Sequence, residues 1–315
     1  MSTGQDSMDA TGRFDILEHL AGRKRRAKER LDATKGGQRL YVALLGVETG
    51  AHPLELEGVC SLRKVEDAPN EIELAGVLKS KALLATVSRY TPTMRYELQV
   101  ETTDGGDIND MLSVAWSVIV ALRIRVDSDF LAVAASTVSW SAMSAAPEHS
   151  VMVTMLEDFP RARSIADKSP ICQADMDWVA ANLTSLGECI GTPRFRLSVD
   201  CLTTHFHEAS LRMTTASLWA GVEAVFSINS ELSFRVAAYM ATYLESRGPD
   251  RLKLFKQVKA LYAFRSKAVH GASLDDAKIL EHVRTVRRLL CRILTKAVEG
   301  RHLPDADEWD GLLLS

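Results

Sequence analysis

Arg265 and His270 are the two residues of this chain whose types and spacing favour chemistry on a phosphate. Upstream, apolar residues recur at helical spacing, among them Leu254, Val258 and Leu261, and Arg265 falls on the same stripe. Arginine is almost never fully buried unless it is paired. His270 follows five residues later, and an imidazole titrates near neutral pH. The pattern predicts a fixed cation and a titratable group together near a helix end.

The geometry of a helix limits how these two side chains can meet. Gly271 is the residue type that ends helices in the left-handed conformation. Residues five apart in an ideal helix point about 140° away from each other. Arg265 and His270 therefore converge only if the helix ends at Gly271 or if a second copy of the chain supplies the other half. Ser266 shares a face with His270 and could orient the imidazole, and Tyr262 lies four residues before Ser266.

Three segments around this pair carry a wider motif, namely 218–226, 231–241 and 262–271. Their order resembles the HEPN superfamily, most closely its Apea-like branch. In that branch a helix with an apolar-x-x-Glu-Ala signature precedes a Glu-Leu-Ser-aromatic-Arg helix, and a Tyr-x-x-Arg-Ser-Lys-x-Val-His-Gly segment follows. The resemblance covers about residues 194–300.

The resemblance implies an all-α bundle and, as in many HEPN proteins, a metal-independent ribonuclease site in a cleft between two protomers. His270 would transfer a proton, and Arg265 would offer its planar fork to the phosphoryl oxygens. We expect a 2′,3′-cyclic phosphate and a 5′-hydroxyl as products, with no metal or other cofactor. The expected partners are RNA, with tRNA as one candidate, a second copy of the chain and a regulatory protein. The implied setting is phage defence or abortive infection, with the N-terminal region sensing a trigger or restraining a toxic nuclease.

This chain departs from the strongest ribonuclease members at one position. They carry Asn, Asp or His after the arginine, whereas this chain has Ser266, as is common in the Apea-like branch. A hydroxyl orients an imidazole more weakly. The chain also has no tyrosine two residues after His270, so it does not match the variant that is paired with a nucleotidyltransferase antitoxin.

Four further residues are candidates for supporting roles. Glu223 borders an apolar helix face and needs a partner, for which Arg265 and Arg235 are the candidates. We predict Lys259 and Lys267 as contacts to RNA phosphates. Two other polar residues, His205 and His207, lie two apart, a spacing that does not place them on one helix face, and we expect them to be solvent-exposed.

Charge is distributed unevenly along the chain. The whole sequence of 315 residues has a formal charge of −3, but residues 248–301 hold 13 Lys and Arg against 5 Asp and Glu. An excess of +8 around the Arg/His pair is what a polyanion site needs, although a solvated helix face gives the same count. The sequence has no apolar run as long as a membrane span and no signal-peptide pattern at its start. The five cysteines form no C-x-x-C pair, which fits a reduced cytoplasm. We therefore expect a cytoplasmic protein and, because no apolar run is long enough, no membrane contact.

The pattern predicts an α+β protein in three parts: a polar and basic lead-in (1–36), a β-rich N-terminal domain (37–168) and a HEPN-like helical domain (172–315). Strands are predicted near 40–47, 54–57, 71–74, 94–100, 130–135 and 151–155, and Asp107 is predicted to cap a helix over 108–124. Helices are predicted near 176–186, 195–212, 215–228, 231–247, 250–270 and 274–299, the last capped by Ser273. A polar tail follows Pro304.

Two function classes stay open at this point. The first is the ribonuclease described above. The second is a non-catalytic helical module that dimerises and binds nucleotide, RNA or a partner protein.

Overall fold

The computed structural model describes residues 10–33, 38–50, 52–101, 107–158, 165–166, 169–228 and 232–314. Within these residues the fold is a mixture of one antiparallel sheet and many helices, which confirms the α+β class. The chain divides into two compact units. The first takes the described residues of 1–45, 51–115 and 131–158, and the second takes those of 46–50, 116–130 and 159–315. Residues 116–130 thus belong to the second unit, although the predicted N-terminal domain includes them.

The first unit contains the six-stranded sheet. Its strands are β1 (Arg39–Leu45), β2 (Leu54–Leu56), β3 (Cys60–Lys64), β4 (Tyr96–Glu101), β5 (Leu131–Ser136) and β6 (Val153–Met155). Their spatial order is β2-β3-β4-β1-β5-β6, and every neighbouring pair is antiparallel. β1 pairs with β4 through Val42 and Leu98 and with β5 through Val42 and Ala135. Residues 40–45 are all buried, which explains why this strand has a continuous apolar sequence.

Four helices begin in the described part of the first unit: α1 (Ala10–Ala33), α2 (Glu71–Val77), α3 (Lys81–Val87) and α4 (Ile108–Arg125). The predicted cap of α4 is confirmed. The carboxylate of Asp107 accepts hydrogen bonds from the backbone N–H groups of Asn109 and Asp110 at 2.7 and 3.0 Å. The side chain of Asp110 accepts the N–H of Asp107 in return.

The predicted strand at 71–74 is wrong, because these residues start α2. Asn70 accepts the backbone N–H of Glu73, and the Glu73 carboxylate accepts the backbone N–H of Asn70. This reciprocal cap decides the structure. Four alternating residues are also too few to distinguish a strand from the first turn of a helix. The sequence analysis also did not predict β3.

The second unit is helical over most of its described length. Its helices are α5 (Gln173–Ile190), α6 (Pro193–Thr204), α7 (Leu211–Phe226), α8 (Leu232–Leu244), α9 (Pro249–Val269), α10 (Asp276–Glu299) and α11 (Ala306–Leu314). α7 packs against α6, α9 and α10. Its buried side chains include Leu218, Trp219 and Val222. Gly221 on α7 allows a close approach, because a Cβ there would lie 2.9 Å from the Cβ of Cys201 on α6.

Several helix boundaries differ from the predictions. The single helix predicted over 195–212 is divided: α6 ends at Thr204, a 3₁₀ turn follows at His205–His207, and Ser210 caps α7. Asp275, and not Ser273, caps α10 through the N–H groups of Ala277 and Lys278. α11, whose Trp309 is buried, lies in the segment that was predicted to be a polar tail.

His205 is fully buried, which corrects the expectation that it is exposed. Its Nδ1 lies 2.6 Å from the carbonyl oxygen of Leu202, and its Nε2 lies 3.7 Å from the carboxylate of Asp129, which is also buried. Burial and the nearby Arg287 lower the pKa of His205 to about 4, with Asp129 acting in the opposite direction. The 3₁₀ turn places the imidazole inside, and helical periodicity does not anticipate such a turn.

Candidate functional site

The end of α9 has the form that Gly271 predicts. Gly271 has a φ of +81°, in the left-handed region. The N–H of His270 donates to the carbonyl of Ser266 at 3.1 Å, and the N–H of Ala272 donates to the carbonyl of Lys267 at 3.0 Å. The second bond closes the last turn over the glycine, as in a Schellman motif. His270 therefore occupies the C-cap position, at the end of a helix that spans Pro249–Val269.

Arg212 fastens this helix end to α7. Its Nη1 donates to the carbonyl of Ala268 at 2.5 Å, and its Nη2 donates to the carbonyl of Ala272 at 2.8 Å. A guanidinium on the last carbonyls of a helix satisfies groups that have no helical partner and complements the negative end of the dipole. No local pattern in the sequence points to Arg212, because its partners are 56 and 60 residues away. Its effect is to fix the position of His270 relative to α7.

The imidazole of His270 is exposed to solvent. Within the part of the chain that the structure describes, it forms no hydrogen bond or ion pair, and the hydroxyl of Ser266 is not bonded to it. Ser266 itself is half-buried. A histidine in this state is accessible to a ligand from solvent. The expected orienting role of Ser266 stays a prediction.

Arg265 is half-buried and forms an ion pair with Glu223 on α7. Its Nη2 lies 3.4 Å from Oε1 of Glu223, and the two side chains are 22% and 23% exposed. The guanidinium also lies over the ring of Tyr262, with Cζ 5.5 Å from the ring centroid. Its Nε is buried without a hydrogen-bond partner in the described residues. Of the two partners proposed for Glu223, Arg265 is thus in contact with it.

Tyr262 completes the arrangement around Glu223. Its hydroxyl donates to Oε1 of Glu223 at 2.9 Å, the same oxygen that faces Arg265. Burial, and next the hydrogen bond to Glu223, raise the pKa of Tyr262 to about 12. The phenol is therefore a donor at neutral pH. Glu223 holds both Tyr262 and Arg265 from a neighbouring helix.

Two aromatic residues pack behind Tyr262 and extend the cluster to α10. The ring of Trp219 meets that of Tyr262 edge to face at 5.1 Å, and its Nε1 donates to Nε2 of His282 at 3.0 Å. The imidazole of His282 also stacks on Phe264 at 4.8 Å. Burial lowers the pKa of His282 to about 4. His282 was not among the predicted site residues; it occupies a buried position on the apolar face of α10.

The other predicted residues lie outside this cluster. Arg235 donates to the hydroxyl of Tyr239 at 3.3 Å, and Tyr239 in turn bonds to Asp310 of α11. Lys259 and Lys267 are exposed on α9. Glu231, which belongs to the sequence motif, lies outside the described residues.

Comparisons with protein-family models, with curated proteins and with solved structures find no match. The resemblance to the HEPN superfamily therefore stays a prediction that depends on the residues of the motif.

Arg265 and His270 face different surroundings on the same helix. Arg265 lies among the buried positions of α9, close to Val258 and Tyr262, whereas His270 is exposed. No hydrogen bond or ion pair joins the two side chains in the described residues. What the arrangement offers is an anchored, half-buried cation, and five residues away an accessible imidazole at a fixed helix end.

Among the described residues, no group of three or more His, Cys, Asp or Glu side chains is placed to hold a metal ion. None of the helices in the described ranges is both long and apolar enough to cross a membrane.

Proposed function

We propose that this chain is a metal-independent endoribonuclease of the HEPN type that acts in phage defence or abortive infection. The C-terminal helices would be the HEPN-like bundle, and the N-terminal part would sense a trigger or restrain the nuclease. One observation carries the proposal. The same helix presents an anchored Arg265 and, five residues later, an exposed His270 at a helix end that Arg212 holds in place.

In the proposed reaction the RNA supplies its own nucleophile, the 2′-hydroxyl. His270 removes the proton of this hydroxyl while the 2′-oxygen forms a bond to phosphorus and the bond from phosphorus to the 5′-oxygen breaks. The 5′-oxygen takes up a proton from water. The products are a 2′,3′-cyclic phosphate and a 5′-hydroxyl end. Arg265 stabilises the extra negative charge on the phosphoryl oxygens, which a delocalised guanidinium does through two parallel hydrogen bonds.

Glu223 and Tyr262 have positioning roles in this proposal. The carboxylate of Glu223 lies 3.4 Å from Nη2 of Arg265, and Nε is buried, which leaves Nη1 and the second hydrogen of Nη2 for a ligand. The ring of Tyr262 contacts the guanidinium through a cation–π interaction that helps to fix its position. A lysine at position 265 would keep the charge but lose the fork, so we expect Arg265→Lys to be as inactive as Arg265→Ala.

One observation favours the alternative, a non-catalytic module that dimerises and binds nucleotide, RNA or a partner protein. The ion pair between Arg265 and Glu223 and the hydrogen bond of Tyr262 form a closed set that joins α7 to α9. Such a set also stabilises a bundle that has no catalytic activity. The two functions therefore differ in what His270 does.

The test is cleavage of total RNA and of tRNA by the purified full chain in the presence of EDTA. We compare the wild type with His270→Ala, Arg265→Ala and Arg265→Lys, and we use His302→Ala as the matched control, because His302 is also an exposed histidine. We expect the wild type and the control to produce fragments whose 3′ ends resist ligation until the cyclic phosphate is removed. If His270→Ala cleaves at the wild-type rate, or if EDTA stops the reaction, the nuclease is refuted and the binding module takes its place.

A further inference from the structure

The exposed side of α9 carries four lysines that have no acidic partner among the described residues. Lys253, Lys256, Lys259 and Lys267 are all exposed, and no carboxylate in the described ranges forms an ion pair with any of them. On the neighbouring helix α10, by contrast, Arg287, Arg288 and Arg292 each form an ion pair with a carboxylate. Arg292, for example, lies 2.7 Å from Glu245. Uncompensated positive charge is thus concentrated on α9.

An apolar groove with aromatic walls runs beside this lysine face. It has a volume of about 330 Å³ and lies between α8 and the first half of α9. Its lining includes Phe234, Phe255 and Leu252, and Phe234 and Leu252 are 52% and 54% exposed. The rings of Phe234 and Phe255 meet edge to face with their centroids 5.7 Å apart. Exposed apolar side chains that cluster around one groove, rather than lying singly, are typical of a ligand or partner site.

The groove and the lysines are neighbours on the helix surface. Lys259 follows Phe255 by four residues and Lys256 follows Leu252 by four, so each lysine lies one helical turn from a residue that lines the groove. Arg251 also lines the groove, with its Nε bonded to the carbonyl of Glu245. Aromatic faces next to a row of cations are the combination that binds single-stranded nucleic acid, because bases stack on the rings while phosphates contact the cations.

We propose that this groove binds single-stranded RNA, with a base on Phe234 and the flanking phosphates on Lys256 and Lys259. The inference rests on the proposed function, because it assumes that the bound RNA strand extends along α9 from the groove to His270. The fifteen residues from Phe255 to His270 correspond to about 22 Å of helix, so the strand would be held several nucleotides away from the site of cleavage. A duplex does not fit, because its bases are stacked inside the helix.

The experiment measures RNA binding separately from cleavage. The full chain carrying His270→Ala is titrated against a labelled 12-nucleotide single-stranded RNA, and fluorescence anisotropy gives the affinity at several salt concentrations. Phe234→Ala is compared with Met213→Ala, which removes another exposed apolar side chain. Lys256→Gln/Lys259→Gln is compared with Lys79→Gln/Lys81→Gln, which removes two exposed lysines of the first unit.

The two variants should differ in their salt dependence. Loss of one stacked base weakens binding by roughly five- to 150-fold and leaves the salt slope unchanged. Loss of two phosphate contacts lowers the slope of log K against log salt by about 1.4. The matched controls should bind like the parent. The proposal is overturned if Phe234→Ala and the double lysine variant bind like their controls, or if duplex RNA, a polyglutamate peptide or anionic vesicles displace the RNA as well as unlabelled single strand does.

The two proposals can fail separately. If the RNA binds as described and the wild type does not cleave it in the assay above, the nuclease fails and the groove stands. If the wild type cleaves RNA and the groove variants bind like their controls, the nuclease stands and the groove proposal fails.

Discussion

His282 should make the folded state sensitive to mild acid. Its Nε2 accepts a hydrogen bond from Nε1 of Trp219 at 3.0 Å, and the indole nitrogen is only a donor. The neutral imidazole must therefore carry its proton on Nδ1, and an imidazolium would place two N–H groups against each other. Burial lowers the pKa of His282 from 6.5 to about 4. The hydrogen bond and the burial thus both favour the neutral imidazole.

The size of the effect follows from this shift. A histidine whose pKa is depressed in the folded state contributes stability above the unfolded pKa of 6.5, and the contribution is lost as the pH falls through the folded pKa. A shift of this size lowers the free energy of unfolding by about 3 kcal/mol once the pH is well below both pKa values. About 2 kcal/mol of this is already lost at pH 5. The loss is a large fraction of the stability of a typical domain, which is about 5–15 kcal/mol.

Urea unfolding at pH 7.5 and pH 5.0 measures this loss. His282→Gln keeps an acceptor for Trp219 but cannot take up a proton, so the variant should lose about 2 kcal/mol less than the wild type between the two pH values. His270→Gln is the control, because it removes an exposed imidazole and should lose as much as the wild type. If His282→Gln and the wild type lose the same free energy, the assignment of His282 as a buried neutral acceptor is wrong.

Three further substitutions test the packing and the local backbone. Gly221→Ala should cost about 1–3 kcal/mol of unfolding free energy in urea, because its Cβ would meet Cys201 at 2.9 Å and Leu290 at 3.2 Å; a wild-type value would show that α6 and α7 can separate freely. Gly271→Ala should cost about 1–2 kcal/mol because its φ is +81°, and an unchanged melting curve would contradict the left-handed cap. Burial raises the pKa of Glu97 from 4.5 to about 7, although hydrogen bonds from Ser139 and Trp140 act in the opposite direction. The protonated carboxyl therefore contributes stability to the fold that is fully present below about pH 4.5 and is lost as the pH rises through about 7. Glu97→Gln should therefore lose less stability than the wild type between pH 6 and pH 8.5, and equal losses would refute this.

The sequence predicted those elements whose signals are local. The cap at Asp107, the helix end at Gly271 and the apolar run of β1 each depend on a few neighbouring residues, and each is confirmed. The pattern failed where two local signals overlap, as at 71–74, where the reciprocal cap of Asn70 and Glu73 outweighs an alternation.

The contacts around Arg265 depend on residues far apart in the chain. The sequence indicated that Arg265 needs a partner, because an arginine on an apolar stripe must be paired. It left Arg265 and Arg235 as candidate partners of Glu223, and the packing of α7 on α9 brings Arg265 into contact with Glu223. Arg212 and His282 carry no local signal, because their partners lie 56 or more residues away.

The different surroundings of Arg265 and His270 lead to the last prediction. If the active site combines an arginine from one protomer with a histidine from the other, two inactive variants should complement each other. In a mixed dimer of Arg265→Ala and His270→Ala, one of the two sites would contain an intact arginine and an intact histidine, and the other site neither. Equal amounts that exchange at random give mixed dimers in half of the population, so about a quarter of the wild-type activity should return.

The same experiment separates the possible arrangements of the site. The control mixes two differently tagged preparations of Arg265→Ala, which should stay inactive, and co-purification of the tags shows that subunits exchange. If tagged mixed dimers form and no activity returns, each site takes Arg265 and His270 from one chain. The backbone at the C-terminal end of α9 would then have to change its conformation to bring the two side chains together. Recovery of activity would instead mean that each site combines Arg265 of one protomer with His270 of the other. The angle of about 140° between the two side chains of one helix would then be no obstacle. The rigid cap at Gly271 could then stay as it is, because neither side chain has to move toward the other.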